Sequence, residues 1–595
     1  MKRAGLAVML FASSVAIARA APVDLLPPGF GETPAPTPAP SPAPTPTPTP
    51  APSATSNRTV QPSTPPPAER LRDLPTLREL ESLSTDELDE LLGLRPRVDI
   101  PAASARGTDV IGVIGPEDDG LEEATFAGQP GSLVRAALIG NEGRYVSRWG
   151  HVLMRRALSS ALRSPSGLDP VVFADLRAGL LNRMGEHAAA RALVQSVDTP
   201  DYSPSLTQTA IEAYLGTGDV VGACPAVRLS RTERDDGEWL MLRAICNAYA
   251  GETTRANNDL RRLVNSGEYP RIDGLLAQRY AGAAGQSRRA VTIEWDEVDS
   301  LTRWRFALAT ALGETIPENL LGEAPAGLRE QMGAMPSLSA PERLRGAASA
   351  ARRGVLSSQA LIDLYSEIAM LDGEDDVAGA ETSDRLRLAF TGTGAERIEA
   401  MRALWNDEAV AGHIATATAA ARIPPASAYA DVAPDLLRSM VAAGYDRNAA
   451  LWRDVVEGGS LGWGIVALAS PDGGSVSDGD MSDFLDNDTS TNSHRSRMLF
   501  AGLAGLGRLE AGELDEYADR LDIDLARTSR WTRAIEAAGA VGNAGMVALL
   551  AGLGMQGADW SAMTALHLYH IVRALDAAGM NAEARMIAAE AVAQT

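Results

Sequence analysis

The sequence predicts an all-α protein built from repeated helix pairs, and three observations carry that prediction. Aromatic residues are 5% of a chain rich in Ala, Gly and Leu. Such a mix suits helices that approach closely through small side chains, and it disfavours β-sandwiches, which draw on β-branched and aromatic residues. Helix-start signatures recur, with capping-box spacing at Ser84-Thr85-Asp86-Glu87 and at Ser339-Ala340-Pro341-Glu342, the second with Pro near its first turn. Finally, Gly185, Gly218, Gly251 and Gly285 stand 33, 33 and 34 residues apart, and an alanine follows each by five: Ala190, Ala223, Ala256 and Ala290. Glycine ends a helix in left-handed backbone, and the Glu, Asp or Gln after it is expected to open the next helix. The alanine then falls where two helices cross, a place with room only for a small side chain.

At 595 residues the chain exceeds one compact core, so two or more folded regions are expected. Residues 1–20 read as a secretory signal peptide. Lys2 and Arg3 form its basic start, Ala4 to Ala18 its apolar stretch, and Ala18-Arg19-Ala20 the cleavage site, which puts the mature start at Ala21. The apolar stretch falls short of the roughly 20 residues of a spanning helix, so cleavage is expected and not anchoring. No Cys follows it, which removes the lipoprotein option, and no later run is apolar enough to span a membrane. The short signal and the Ala/Gly/Arg-rich composition place the protein in a bacterium, exported to the periplasm or secreted.

Residues 21–68 form a disordered tether in which every second residue from Pro34 to Pro52 is proline. Such a run cannot build helix or sheet and is expected in polyproline II, as a semi-rigid spacer. Ahead of it, Val23-Asp24-Leu25-Leu26-Pro27-Pro28-Gly29-Phe30 is an apolar patch and a candidate short docking motif. Residues 69–132 hold short helices, marked by leucines at 77, 80, 83, 88, 91, 92 and 94, then a Gly/Pro-rich stretch with one isolated candidate strand, Val110-Ile111-Gly112-Val113-Ile114. Residues 133–313 carry the repeats. Residues 314–595 are read as irregular helical repeats forming a C-terminal lobe, with long helices over 357–371, 394–407, 428–443, 495–506, 528–540 and 560–578, the last closing in a hairpin with 580–593. Residues 314–341 and 471–494 read as loops.

The chain has two cysteines, Cys224 and Cys246. In an exported protein they are a disulfide candidate, closing a loop worth roughly 3 kcal/mol in the chain-entropy model. Two separately buried thiols are the alternative.

The glycine-and-alanine repeat resembles the tetratricopeptide repeat, a helix–turn–helix unit of about 34 residues with a small residue at the same offset. Tyr214, four residues before Gly218, falls where that family often places an aromatic. Ala178 and Ala244 keep the small residue seven before the turn, whereas the helix-one Trp is missing and the repeat-end proline is irregular. The resemblance covers residues 145–300. It implies an α-solenoid that binds proteins or peptides in a concave groove. It also puts Cys224 on the second helix of one unit and Cys246 on the first helix of the next, which are neighbours in such a stack.

The net charge of −23 bears on partners. An acidic surface without a Lys/Arg-rich stripe repels phosphate backbones, so nucleic acid is excluded, and an anionic membrane surface is disfavoured. Candidate chemistry is sparse. Gly458-Gly459-Ser460-Leu461-Gly462 matches the G-x-S-x-G elbow, but its helix-like flanks point to a turn between helices. His567 and His570 share a helix face at a spacing usable for two metal ligands, with no Glu or Cys beside them in a zinc pattern, and read better as packed residues. The aspartates at 472, 478, 480, 483, 486 and 488 offer oxygen ligands for Ca²⁺, yet the EF-hand pattern fails at Asp483 and Thr489, which leaves a solvated loop. Trp405, Trp452, Trp463, Trp531 and Trp560 suit a recognition groove or a helical core equally.

Helical superhelices also accompany periplasmic lytic transglycosylases. Glu81-Ser82 resembles their Glu-Ser start, but only a short helix and a Gly/Pro stretch follow, with no room for the catalytic domain. The expectation is therefore a non-catalytic envelope scaffold that binds proteins, with no cofactor and no metal. A cell-wall or polysaccharide-associated protein, or an enzyme of divergent type, is the alternative, and a purely structural spacer a third.

Overall fold

A computed structural model of the chain describes residues 104–229, 234–284, 291–371, 377–407, 409–473 and 476–595. The chain divides after Pro96, and every described residue belongs to the second unit. The signal segment with Ala18, Ala20 and Ala21, the tether, the leucine-spaced helices of 77–94, and Gly285 and Ala290 of the last repeat lie outside the described residues.

Among the described residues the secondary structure is helical except for one two-stranded ribbon. Helices α1 (Gly131–Gly140) and α2 (Arg148–Ser159) come first. Three pairs follow: α3 (Pro170–Met184) with α4 (His187–Val194), α5 (Pro204–Gly216) with α6 (Cys224–Leu229), and α7 (Gly237–Tyr249) with α8 (Thr253–Ser266). Side-chain caps set where the first helix of each pair begins. Asp169 accepts from the amides of Val171 and Val172 with Pro170 at the first helical position, Ser203 caps Leu206 with Pro204 behind it, and Asp236 caps Trp239. The turns that end them use Gly185, Gly218 and Gly251 at φ +84°, +73° and +95°, backbone that a side chain would strain.

Ala190, Ala223 and Ala256 are fully buried, as the crossing of paired helices requires. Helices α3, α4 and α5 pack on one another, and so do α7, α8 and α9 (Arg271–Ala283). The stack is weakest between these triplets, where α6 is only 6 residues long. There the Cys224 and Cys246 sulfurs stand 2.06 Å apart, with Cα atoms at 5.2 Å, and tie α6 to α7.

Beyond α9 the period ends. Residues 291–302 are non-helical, and α10 (Arg303–Leu312) packs both on α9 and back on α5. The stretch 314–341, expected as loop, contains α11 (Glu318–Gly322) and α12 (Ala326–Gly333). Pro317 and Pro325 precede these helices, where a missing N–H costs nothing, and Leu320, Leu328 and Met332 cover one another in a small core.

The chain continues through α13 (Ala340–Arg353), α14 (Ser358–Ala369), α15 (Ala380–Thr391), α16 (Gly394–Asp407), α17 (Ala409–Ala420), α18 (Ala433–Ala442) and α19 (Asp446–Ala450). The remaining helices are α20 (Leu461–Ala469), α21 (Asp478–Asp486), α22 (His494–Gly505), α23 (Ala511–Arg520), α24 (Arg530–Ala540), α25 (Ala544–Gly554), α26 (Ala565–Ala577) and α27 (Asn581–Gln594). The long helices expected here are all present within a few residues. Helix α21 corrects the loop reading of 471–494: Ser477 caps it, and Asp478 and Asp480 sit in its first turn, where the helix dipole favours acids.

Two further expectations change. The candidate strand is not isolated, because β1 (Val110–Ile111) pairs antiparallel with β2 (Leu162–Arg163). Residues 104–132 are also more than a connector: Phe126 stacks edge-on against Phe173, and Thr125 accepts a hydrogen bond from the amide of Gly545 at 2.9 Å. The largest core joins residues from both ends of the described body, from Ile111 to Ala593, because α25 packs on α1 and α2 while α27 packs on α2, and two smaller cores cover 301–335 and 340–415.

The disulfide yields a direct test. Replacing Cys224 and Cys246 by Ser is expected to lower unfolding stability by about 3 kcal/mol, the entropy of a loop of this length. Urea titration of wild type and double variant reads it, and coincident curves would show that the helix packing alone holds the junction.

Candidate functional site

The acidic residues that follow the repeat glycines do not mainly cap the next helix. Glu186 and Glu252 make no side-chain cap, and only Asp219 bonds an amide of its own turn, that of Gly222. Each instead reaches an arginine of an earlier helix. Arg155 of α2 meets Glu186 at 3.0 Å, Arg191 of α4 meets Asp219, and Arg228 of α6 meets Glu252 at 3.3 Å. The Asp219 and Glu252 pairs are half-exposed, so each contributes little energy and chiefly sets orientation, whereas Glu186 is buried.

The first turn of α2 is a junction of four chain segments. Glu590 of α27 is buried, and its carboxylate accepts from Ser147 Oγ (2.6 Å) and from the amides of Arg148 (2.9 Å) and Trp149 (3.2 Å). It thereby satisfies the orphan amides of a helix start from 442 residues away. Burial raises its pKa, and these hydrogen bonds and the Arg148 charge oppose the rise. The Arg148 guanidinium donates to the carbonyls of Ala351 (3.0 Å), Ala442 (2.8 Å) and Leu356 (3.2 Å). One turn on, His151 Nε2 lies 2.8 Å from Glu186, which Arg155 also reaches. Everything here is satisfied internally, so the junction positions helices and leaves no group for chemistry.

The accessible polar face lies on α5, α7 and α10. Glu212 accepts from Gln208 at 3.0 Å, and Gln208 accepts from Arg234, which also binds Asp236 at 2.7 Å. Arg303, at the start of α10, donates to Gln331 over 3.4 Å and lies within electrostatic reach of Glu212 and Glu238. Burial lowers the Arg303 pKa and the two glutamates oppose that; burial raises the Glu238 pKa, helped by Asp273 and Asp236. These side chains form a loose charged group on helices of different pairs. Such a group can meet a polar segment of a partner.

The remaining singled-out residues are placed plainly. Ser460 caps α20, accepting from the Trp463 amide at 3.2 Å, so the G-x-S-x-G match is a helix start. Trp405, Trp452 and Trp560 are buried in the core, and Trp463 and Trp531 are half-buried. Asp478 accepts from Tyr517, Asp486 pairs with Arg520 at 2.6 Å, and Asp488 accepts from Ser490 and Ser496. The aspartates thus serve caps and pairs and do not converge, and no metal-holding group of three such residues occurs among the described residues. His567 contacts Thr564 Oγ1 at 2.7 Å, while His570 is buried against α24. No helix among the described residues is long and apolar enough to cross a membrane. Sequence reasoning passed over Glu590, Arg148 and Arg303. A glutamate inside the otherwise apolar run 586–593 of the last helix is the one signal that could have marked the first of these.

Two predictions follow from these groups. Arg148→Lys keeps the charge but lacks the fork that spans three carbonyls, so it is expected to cost about 2 kcal/mol in chemical denaturation. A loss indistinguishable from zero would mean that water serves those carbonyls equally well. The second concerns acid. Burial, with Arg303 near the first and Arg438 near the second, pushes His187 and His413 down to about 3. The unfolded chain therefore binds protons that the native one refuses. Their stabilisation is complete above the unfolded value near 6.5 and is lost as pH falls toward 3. Melting temperature should drop across that window, and His413→Leu should flatten the drop; an unchanged slope in the variant would refute it. In comparisons with known proteins, no family model, no curated protein and no solved structure matches this chain.

Proposed function

We propose that this chain is an exported, non-catalytic scaffold of the bacterial cell envelope, which docks other proteins on the inner face of a degenerate tetratricopeptide-like α-solenoid. The observation that carries the reading is the charged group on α5, α7 and α10, where Glu212 and Glu238 act electrostatically on Arg303 from helices of different pairs. Paired helices with fully buried alanines at their crossings make a rigid support for such a face. The signal-like start and the proline-alternating segment favour a protein held at a distance from its attachment point. Charged residues grouped on one face suit selective recognition of polar chain segments, since like-charged competitors are rejected.

The test is photo-crosslinking in cells, with the full chain beside a version lacking residues 21–67. Capture of the same defined envelope proteins by both forms is expected. Capture that needs residues 21–67 would move the docking function to that segment. No capture by either form would overturn the scaffold reading and make glycan binding the next assay.

A further inference from the structure

Helix α25 has no charged residue, and α1 and α24 flank it on either side. It runs beside α1 in the same direction. Its first turn meets Thr125, just ahead of α1, through the Gly545 amide (2.9 Å). At the other end the Gln556 side chain donates to the Gly140 carbonyl (3.2 Å), and a Cβ on Gly140 would meet Leu553 at 3.3 Å. Helix α24 runs the opposite way on the second flank. The Trp531 indole at its start donates to the Leu550 carbonyl (2.9 Å), and Gly554 leaves room for the ring.

Both flanking helices leave apolar positions uncovered along this layer. Helix α1 buries Val134, Ala137 and Leu138, and exposes Leu133, Ala136 and Gly140 at i, i+3, i+7 on the flank next to α25. Helix α24 buries Thr532, Ile535, Ala538 and Gly539, and exposes Ala537 and the following Val541 on one line with Arg530. Leu133 is 41% exposed and Val541 73%, more than isolated packing leaves to large apolar side chains. Leu553 lies half-buried between the two lines, as the floor of a shallow apolar channel over α25.

One end of the channel is basic. Arg144 is there because its carbonyl accepts from the Gly557 amide (3.3 Å), just past α25, and Arg530 and Arg533 stand in the first turns of α24. All three are exposed, and among the described residues none has a side-chain hydrogen bond or ion pair. The acids at this end pair with none of them: Glu142 is exposed, while Asp524 and Asp559 accept from amides of their own turns. In a chain of net charge −23, other exposed arginines such as Arg163, Arg271 and Arg345 do find carboxylates. Cations at a helix start also oppose the helix dipole, so a carboxylate brought here would relieve an unfavourable arrangement.

We propose that this channel is a docking groove for an acidic amphipathic helix of a partner protein, whose apolar stripe lies along α25 and whose carboxylates meet Arg144, Arg530 and Arg533. The occupant is a helix because apolar walls offer no partners to an extended backbone, whereas a helix satisfies its own amides. It is acidic because the unpaired charges at the groove's end are all positive. The groove is separate from the charged group on α5, α7 and α10, so its test stands whether or not that face docks a protein.

Fluorescence anisotropy with the full chain tests this, using a labelled synthetic helix that carries leucines at i, i+3, i+4, i+7 and glutamates elsewhere, beside a counterpart with lysines. The glutamate helix should bind and the lysine helix should not, and raising salt from about 50 to about 300 mM should weaken binding several-fold. Arg144→Glu, Arg530→Glu and Arg533→Glu together should weaken it at least about tenfold, and so should Val541→Asp alone, while Arg261→Glu on α8 changes nothing. These positions are exposed, and circular dichroism checks that each variant folds. Should the charge reversal unfold the chain, hydrogen exchange of the wild type decides, since the glutamate helix should raise protection of residues 530–540. Overturning results are no binding of the glutamate helix, equal binding of both helices, or affinity and protection that ignore the groove. Self-association of the full chain in sedimentation, lost with Val541→Asp, would overturn it too, by giving the groove to a second copy.

Discussion

The body is closed by one arrangement, the completed first turn of α2. A helix start exposes amides that must find acceptors, and here the acceptor is a carboxylate from the last helix. Burying Glu590 would be unfavourable without those amides, and the amides would be unsatisfied without it. Around this pair, Arg148 serves carbonyls at the ends of α13 and α18, and Arg353 serves those of Gly143 (2.9 Å) and Met184 (3.4 Å). The pattern recurs. Arg177, with burial lowering its pKa to about 9, bonds the carbonyls of Ile111, Leu158 and Ser160, and Arg508 those of Leu468 and Ser470. Apart from Lys2 the chain contains no lysine. A planar guanidinium with five donors can serve several diverging carbonyls at once, which an ammonium on a flexible stem does less well.

What was legible in the sequence is local. The capping box at Ser339 and the glycines at 185, 218 and 251 act within a few residues, so composition and spacing reveal them. The helix class and the cysteine pairing followed from the same short-range logic. The role of the acids after the glycines was not legible, because Glu186 looks like a capping residue until Arg155 is placed beside it. Helices α11 and α12 were hidden by prolines that read as breakers but stand one residue before a helix. The charged group on α5, α7 and α10 was the least visible part. Glu212, Glu238 and Arg303 are ordinary surface residues in the sequence, and only the return of α10 to α5 assembles them.

The departures from a regular repeat occur together. A shortened α6 thins the packing between the two triplets, the disulfide ties α6 to α7 there, and the non-helical 291–302 lets α10 return to α5. Loss of periodicity at this point therefore accompanies a change of direction. The face so formed joins helices that a regular stack would hold apart.

The distance in sequence between Ser147 and Glu590 sets a timetable for synthesis. The two residues are 443 positions apart. At about 5–20 residues per second, between roughly twenty seconds and a minute and a half separates their appearance at the ribosome. Throughout that interval the amides of Arg148 and Trp149 have only water as acceptor, and the core that α25 and α27 complete stays open. The nascent polypeptide is thus kept from premature closure by its own connectivity.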